Sequence, residues 1–98
     1  MRVIITGAKG QLGLELTKQL NIKSDYEVIP TDREELNILD MKQVSEFILK
    51  IKPDVVINCA AHTAVDLCET DIDNAYRINA LGPRNLAIAC EKVGSKFV

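Results

Sequence analysis

The 98-residue sequence has no apolar run approaching the roughly 20 residues that cross a bilayer, and its amino-terminus shows neither a signal-peptide hydrophobic core nor a cleavage site. Membrane spanning and secretion are set aside, and a cytoplasmic protein is expected. An excess of one charge is lacking too. Twelve Lys and Arg against fourteen Asp and Glu leave a net charge of −2, which gives no electrostatic footprint for nucleic acid or an anionic membrane. The three cysteines, Cys59, Cys68 and Cys90, are odd in number and fall in apolar or helical patterns, which suits a reducing compartment better than a disulfide framework. No low-complexity stretch, repeat or linker divides the chain, so one domain is expected, residues 1–98.

What is present is concentrated at the amino-terminus. Thr6-Gly7-Ala8-Lys9-Gly10-Gln11-Leu12-Gly13 follows directly on the apolar Val3-Ile4-Ile5, the pattern of a strand turning into a helix over a phosphate. Gly7 suits the positive φ of a tight turn, Gly10 leaves the backbone open to a pyrophosphate, and Gly13 allows the helix to pack closely on the sheet. Helix-start N–H groups then face the anion. Ala8 breaks the G-x-G-x-x-G form, so the glycines alone also fit a plain strand-to-helix turn. Asp32 adds context. It follows a second strand pattern, residues 26–31, at the roughly 20-residue separation where an acid meets the adenosine ribose hydroxyls.

Along the chain, strands are expected at 2–6, 26–31, 36–38 and 54–60, and again from Lys96. Helices are expected over 11–20, with Leu12, Leu16 and Leu20 facing the sheet, and over 41–51, capped by Asp40 with Val44, Ile48 and Ile51 on one face. A long helical pattern opens at Asp71 or Asp73 and stops at Gly94. Pro83 lies in its middle, which predicts a kink or break near Leu81-Gly82, with Asn79 either near a site or partnering the loosened backbone. The alternation predicts an α/β fold, a doubly wound parallel sheet of the Rossmann type. Its expected strand order is 3-2-1-4 with the start of a fifth, and ligand binds at the carboxyl ends of the strands.

Three segments carry a family resemblance: the glycine turn, then Lys52-Pro53-Asp54-Val55-Val56-Ile57-Asn58-Cys59-Ala60-Ala61-His62-Thr63-Ala64-Val65-Asp66, then Ile78-Asn79-Ala80. Together they resemble the amino-terminal part of the dTDP-4-dehydrorhamnose reductases, within the extended short-chain dehydrogenase/reductases. The resemblance implies NADH or NADPH as cofactor. Gly7, Gly10, Gln11 and Leu12 would lie at the pyrophosphate turn and Asp32 at the adenosine ribose, with Arg33 beside it able to receive a 2′-phosphate. Asn37 and Ile38 stand where the family usually has Asp-Ile or Asp-Leu against the adenine. Ala61, His62 and Thr63 would lie along the pyrophosphate and nicotinamide ribose. The implied reaction is reduction of the 4-keto group of a nucleotide-sugar substrate, dTDP-4-dehydro-L-rhamnose, on the route to surface polysaccharide. A homo-oligomer is compatible with this reading.

Catalytic residues are not assigned. The family's Tyr with a Lys four residues on is missing, since Tyr26 and Tyr76 are followed at that spacing by Pro30 and Ala80. No metal site is assigned either, because Cys59, His62 and Cys68 lack a fourth ligand. His62 also reads as a packed loop residue, and Asp66 and Glu69 as a solvated or helix-capping pair. The domain is expected to be incomplete at its C-terminus. Residues 1–98 alone are then expected to bind nucleotide at best, and to self-associate or be marginally stable through the open edge of Asp54–Ile57. A second class stays open: a non-catalytic module resembling the regulatory subunit of methionine adenosyltransferase. A third, an epimerase or dehydratase on another nucleotide sugar, fits Gln11-Leu12 and the Ala-Ala-His-Thr run less well.

Overall fold

The computed structural model of the chain describes residues 1–23, 25–60 and 77–98. Four parallel strands form one sheet: β1 (Arg2–Thr6), β2 (Glu27–Pro30), β3 (Val55–Asn58) and β4 (Lys96–Phe97), in the order β2-β1-β3-β4. Helices α1 (Gln11–Asn21), α2 (Met41–Ile51) and α3 (Gly82–Val93) cover its faces. Among the described residues no helix is long and apolar enough to cross a membrane.

Period-2 patterning places the central strands between two apolar layers. On one face Ile4 and Val56 join Val44 and Ile48 of α2 and Leu86, Ala89 and Cys90 of α3. On the other, Val3 and Ile5 meet Leu16 and Leu20 of α1, with Val55 and Ile57 of β3 alongside. The continuous apolar run of β3 is thereby covered on both sides, as a parallel strand requires. Leu12 does not join its expected stripe. It sits in the first turn of α1 and is 63% exposed.

Helix α2 begins where the sequence places it. The Asp40 side chain accepts the Gln43 N–H, and the chain leaves the helix through Lys52 in the left-handed region, φ 49°. Helix α3 ends at Gly94, φ 76°. The break expected near Leu81-Gly82 takes the form of a change of helical pitch at those residues. A π-helical turn, Arg77–Leu81, passes into α3 at Gly82, and Pro83 occupies the first helical turn. Leu81 before α3 is itself helical (φ −76°, ψ −36°), and the change of pitch falls where Pro83 lacks the N–H that a continuous α-helix would use. Asn79 lies within the π-helical turn, while the expected starts at Asp71 or Asp73 are outside the described residues.

Two further expectations are corrected. Residues 36–38 form no strand, so the sheet begins at β2 and the order expected with a third strand outside β2 does not form. Local bonds take that backbone instead. The Glu35 and Leu36 N–H groups both donate to the Asp32 carbonyl, Leu39 N–H donates to Asn37 Oδ1 and Asp40 N–H to the Asn37 carbonyl. The outer edge of β2 also lacks a donor. Glu27 and Thr31 N–H groups point to β1, which leaves position 30 facing outward, and Pro30 has no N–H. The edge of β3 is not left open as expected. Lys96 and Phe97 pair with Val55 and Val56, and Val98 extends the ladder through bonds to Val56 and Asn58.

Ile48 is fully buried at the junction of sheet and α2, so Ile48→Ala should cost about 2–5 kcal/mol of unfolding free energy. Asp40→Ala, losing only the cap, should cost about 1 kcal/mol. Urea titration of the intact protein checks both, and the order of the two values is the firmer expectation.

Candidate functional site

The carboxyl ends of β1, β2 and β3 converge on one cleft of about 270 Å³, lined by Gly7, Gly10, Asp32 and Arg33 at one end and by Leu36–Leu39 at the other, with Thr6, Cys59 and Ala60 along its floor. Gly7 makes the convergence possible. Its φ is +63°, and a Cβ there would lie 2.6 Å from the Ala60 Cα and 2.7 Å from the Cys59 carbonyl carbon. The exits of β1 and β3 therefore pass backbone to backbone. Gly13 packs on the turn itself rather than on the sheet proper, because a Cβ there would collide with the Gly7 carbonyl oxygen and approach Ala8 Cα at 2.8 Å.

Gly10 is different. Its backbone is extended (φ −72°, ψ 168°), and among the described residues a Cβ would meet only the Gly7 carbonyl oxygen, at 3.3 Å. The described residues barely need a glycine there, and Gly10 lines the cleft. Gly10 is the N-cap of α1 and brings no side-chain acceptor, and the first turn holds no acidic residue. The first-turn N–H groups at Gln11, Leu12 and Gly13 are therefore donors without an intrahelical partner at the positive end of the helix, which suits an anion. Gln11 and Leu12 themselves are exposed and stand outside the cleft lining, so they contribute through backbone.

Asp32 is half-buried at the end of β2 and ties the site together. Its Oδ2 accepts the Lys9 N–H at 3.0 Å and its Oδ1 the Arg33 N–H at 2.8 Å, while its own N–H donates to Glu35 Oε2 at 2.8 Å. The carboxylate thus fixes the glycine turn to the turn after β2, and its remaining lone pairs can accept ribose hydroxyls. Lys9 Nζ reaches Glu34 at 3.4 Å, and this exposed contact, with Glu35 and Asp32 nearby, raises the lysine above its ordinary pKa. Asn37 lines the far end, where its N–H donates to Gln43 Oε1 at 2.6 Å and its Oδ1 accepts from Leu39. Ile38 lies beside it, largely in the core.

Thr6, Asn58 and Ala60 were not singled out from the sequence. Thr6 Oγ1 donates to Asn58 Oδ1 at 2.6 Å, and the same oxygen accepts the Ala60 N–H at 3.1 Å, so the two strand ends are locked beneath the Gly7 contact. The signal was available, since ligands sit at the carboxyl ends of parallel strands. Cys59 lines the floor as a free thiol whose burial pushes its pKa up, away from a reactive thiolate. Ala61, His62, Thr63 and Cys68 lie outside the described residues.

A family model described as the RmlD substrate binding domain matches residues 1–98. The chain belongs to that family. Among curated relatives, it is 42% identical over 97 residues to the spore coat polysaccharide biosynthesis protein SpsK of Bacillus subtilis (99% of this chain, 34% of that one). It is 44% identical to a dTDP-4-dehydrorhamnose reductase of Aggregatibacter actinomycetemcomitans (99% and 33%). The crystal structure of a dTDP-4-dehydrorhamnose reductase from Clostridium acetobutylicum superposes with a TM-score of 0.93 at 55% identity (99% and 34%). That of a Bacillus anthracis reductase in complex with NADP superposes at 0.91 and 47% identity (98% and 34%). The chain spans about a third of the length of these relatives.

The contrast between the two turn glycines is testable by stability. Gly7→Ala places a side chain at positive φ and against the Ala60 backbone, and should cost about 1–3 kcal/mol or more. Gly10→Ala should cost well under half as much. Thermal melts of the two variants of the intact protein give the comparison.

Proposed function

We propose that the chain is the cofactor-binding, amino-terminal portion of an NAD(P)H-dependent reductase that converts the 4-keto group of dTDP-4-dehydro-L-rhamnose to a hydroxyl, giving dTDP-L-rhamnose in the cytoplasm. The observation that carries this reading is the meeting, in one cleft, of uncapped α1 N–H groups behind Gly10 and the Asp32 carboxylate. Phosphates and a ribose diol fit that pair in that order. Support also comes from relatives described as dTDP-4-dehydrorhamnose reductases and from one solved with NADP.

In this reading the turn 7–13 holds the pyrophosphate by backbone donors, Asp32 holds the adenosine ribose and the segment 36–39 holds the adenine. Arg33, exposed at the cleft, admits a 2′-phosphate, so both NADH and NADPH are bound. Ala61, His62 and Thr63, outside the described residues, are assigned to the nicotinamide ribose on the family resemblance alone. When bound, the reduced nicotinamide supplies a hydride to the carbonyl carbon. The chain's part is binding and orientation. Neither Tyr26 nor Tyr76 has a Lys four residues on, so protonation of the carbonyl oxygen is assigned to the part of the relatives that these residues do not span.

Two substitutions test the assignment in the intact protein. Gly10→Val should lower NADH affinity by at least tenfold with little change in melting temperature, and equal affinities measured by fluorescence titration would remove the pyrophosphate assignment. Asp32→Ala should shift preference toward NADPH, because the carboxylate that repels a 2′-phosphate is gone. An unchanged NADH to NADPH ratio means this acid is not at the ribose. Incubation with dTDP-4-dehydro-L-rhamnose and NADH, followed by product analysis, tests the reaction itself.

A further inference from the structure

The far end of the cleft is built on a segment that belongs to no strand, yet it is held in one place from behind. Helix α3 contributes no residue to the cleft lining, but its first two turns grip the segment in three ways. The Asn85 side chain, 7% exposed, donates from Nδ2 to the Ile38 carbonyl at 2.9 Å across 47 residues of chain. Gly82 lies so close to the Ile38 side chain that a Cβ would run into its Cδ1 and approach Cγ1 at 2.9 Å. Leu36 and Ile38 share an apolar cluster with Leu86 and Ala89.

Other bonds of the segment are Asn37 N–H to Gln43 of α2, Asp40 N–H at the α2 cap to the Asn37 carbonyl, Leu39 N–H to Asn37 Oδ1 and Leu36 N–H to the Asp32 carbonyl. Between those anchors the Ile38 carbonyl is buried and turned inward, where a missing donor leaves it without water as a substitute. A dinucleotide whose phosphates lie at α1 and whose ribose lies at Asp32 brings its purine onto this segment, against Asn37, Ile38 and Leu39.

We propose that Asn85 is a positioning residue for the purine: by fixing the Ile38 carbonyl, it sets the wall against which the adenine end of the cofactor packs. The inference rests on the cofactor reading above. It predicts that Asn85 affects binding of the adenosine half and leaves the nicotinamide half alone, although the residue touches neither.

The test compares NADH with reduced nicotinamide mononucleotide, which lacks the adenosine half, as ligands for the intact protein by fluorescence titration. Asn85→Ala should weaken NADH roughly five- to tenfold, the scale of one lost buried hydrogen bond, with mononucleotide affinity unchanged. Equal weakening of both ligands, or of neither, overturns the proposal. Should Asn85→Ala fail to fold, Asn85→Leu, close in volume and without the donor to the Ile38 carbonyl, gives the same readout: NADH alone should weaken, and unchanged NADH affinity overturns the proposal. Failure of the wild-type protein to bind NADH defeats the cofactor reading itself. Wild-type binding with unaltered variants defeats only the role of Asn85.

Discussion

The cleft depends on there being no side chain at Gly7. Only because that position is bare do the ends of β1 and β3 come within backbone contact, and only then can Asn58 at the end of β3 take both the Thr6 hydroxyl and the Ala60 N–H. The left-handed φ of the same residue turns the chain so that Ala8 N–H reaches the Thr31 carbonyl and Lys9 N–H reaches Asp32. Three strand exits are thereby fastened within four residues. A glycine supplies this because it can combine positive φ with close approach at little steric cost.

Polar groups are spent differently at the two helix starts that face the strand ends. Asp40 closes α2 with its own carboxylate, whereas Gly10 leaves the first turn of α1 without a side-chain acceptor. An unfilled helix start next to a carboxylate that is already partly engaged is a site divided by charge preference: the helix end favours an anion, and Asp32 favours neutral hydroxyl donors. Lys9 and Arg33 lie among Asp32, Glu34 and Glu35, and Lys9 is already engaged with Glu34.

The parts legible in the sequence were those fixed by short-range rules. The Asp40 cap, the stop at Gly94, the alternating core of β1 and β3 and the pairing of Gly7 with Asp32 all follow from neighbouring residues or a known separation. What was misread required knowing the partner. Leu36-Asn37-Ile38 alternates apolar and polar as a strand does, and three residues cannot separate that pattern from a turn whose apolar side chains point into the core. Leu12 has the spacing of a packing stripe, but the first turn of α1 leaves it exposed. For Pro83 the sequence shows the break near Leu81-Gly82 but not its form, a π-helical turn that passes directly into α3.

The misread segment is also where the fold leaves most room for variation. A strand at 36–38 would have fixed its backbone by a ladder to β2, and Pro30 withholds the donor such a ladder needs. The segment is placed instead by side chains that arrive from α2 and α3, Gln43 on the Asn37 N–H and Asn85 on the Ile38 carbonyl. Strand ladders, the backbone contact at Gly7 and the Asp32 carboxylate hold the cleft from Gly7 to Arg33, while side chains of neighbouring helices hold residues 36–39. Substitutions in α2 or α3 can therefore reshape this wall of the cleft without disturbing the sheet, whereas the glycine turn is held by the backbone contact at Gly7 and by the Asp32 carboxylate on the Lys9 N–H.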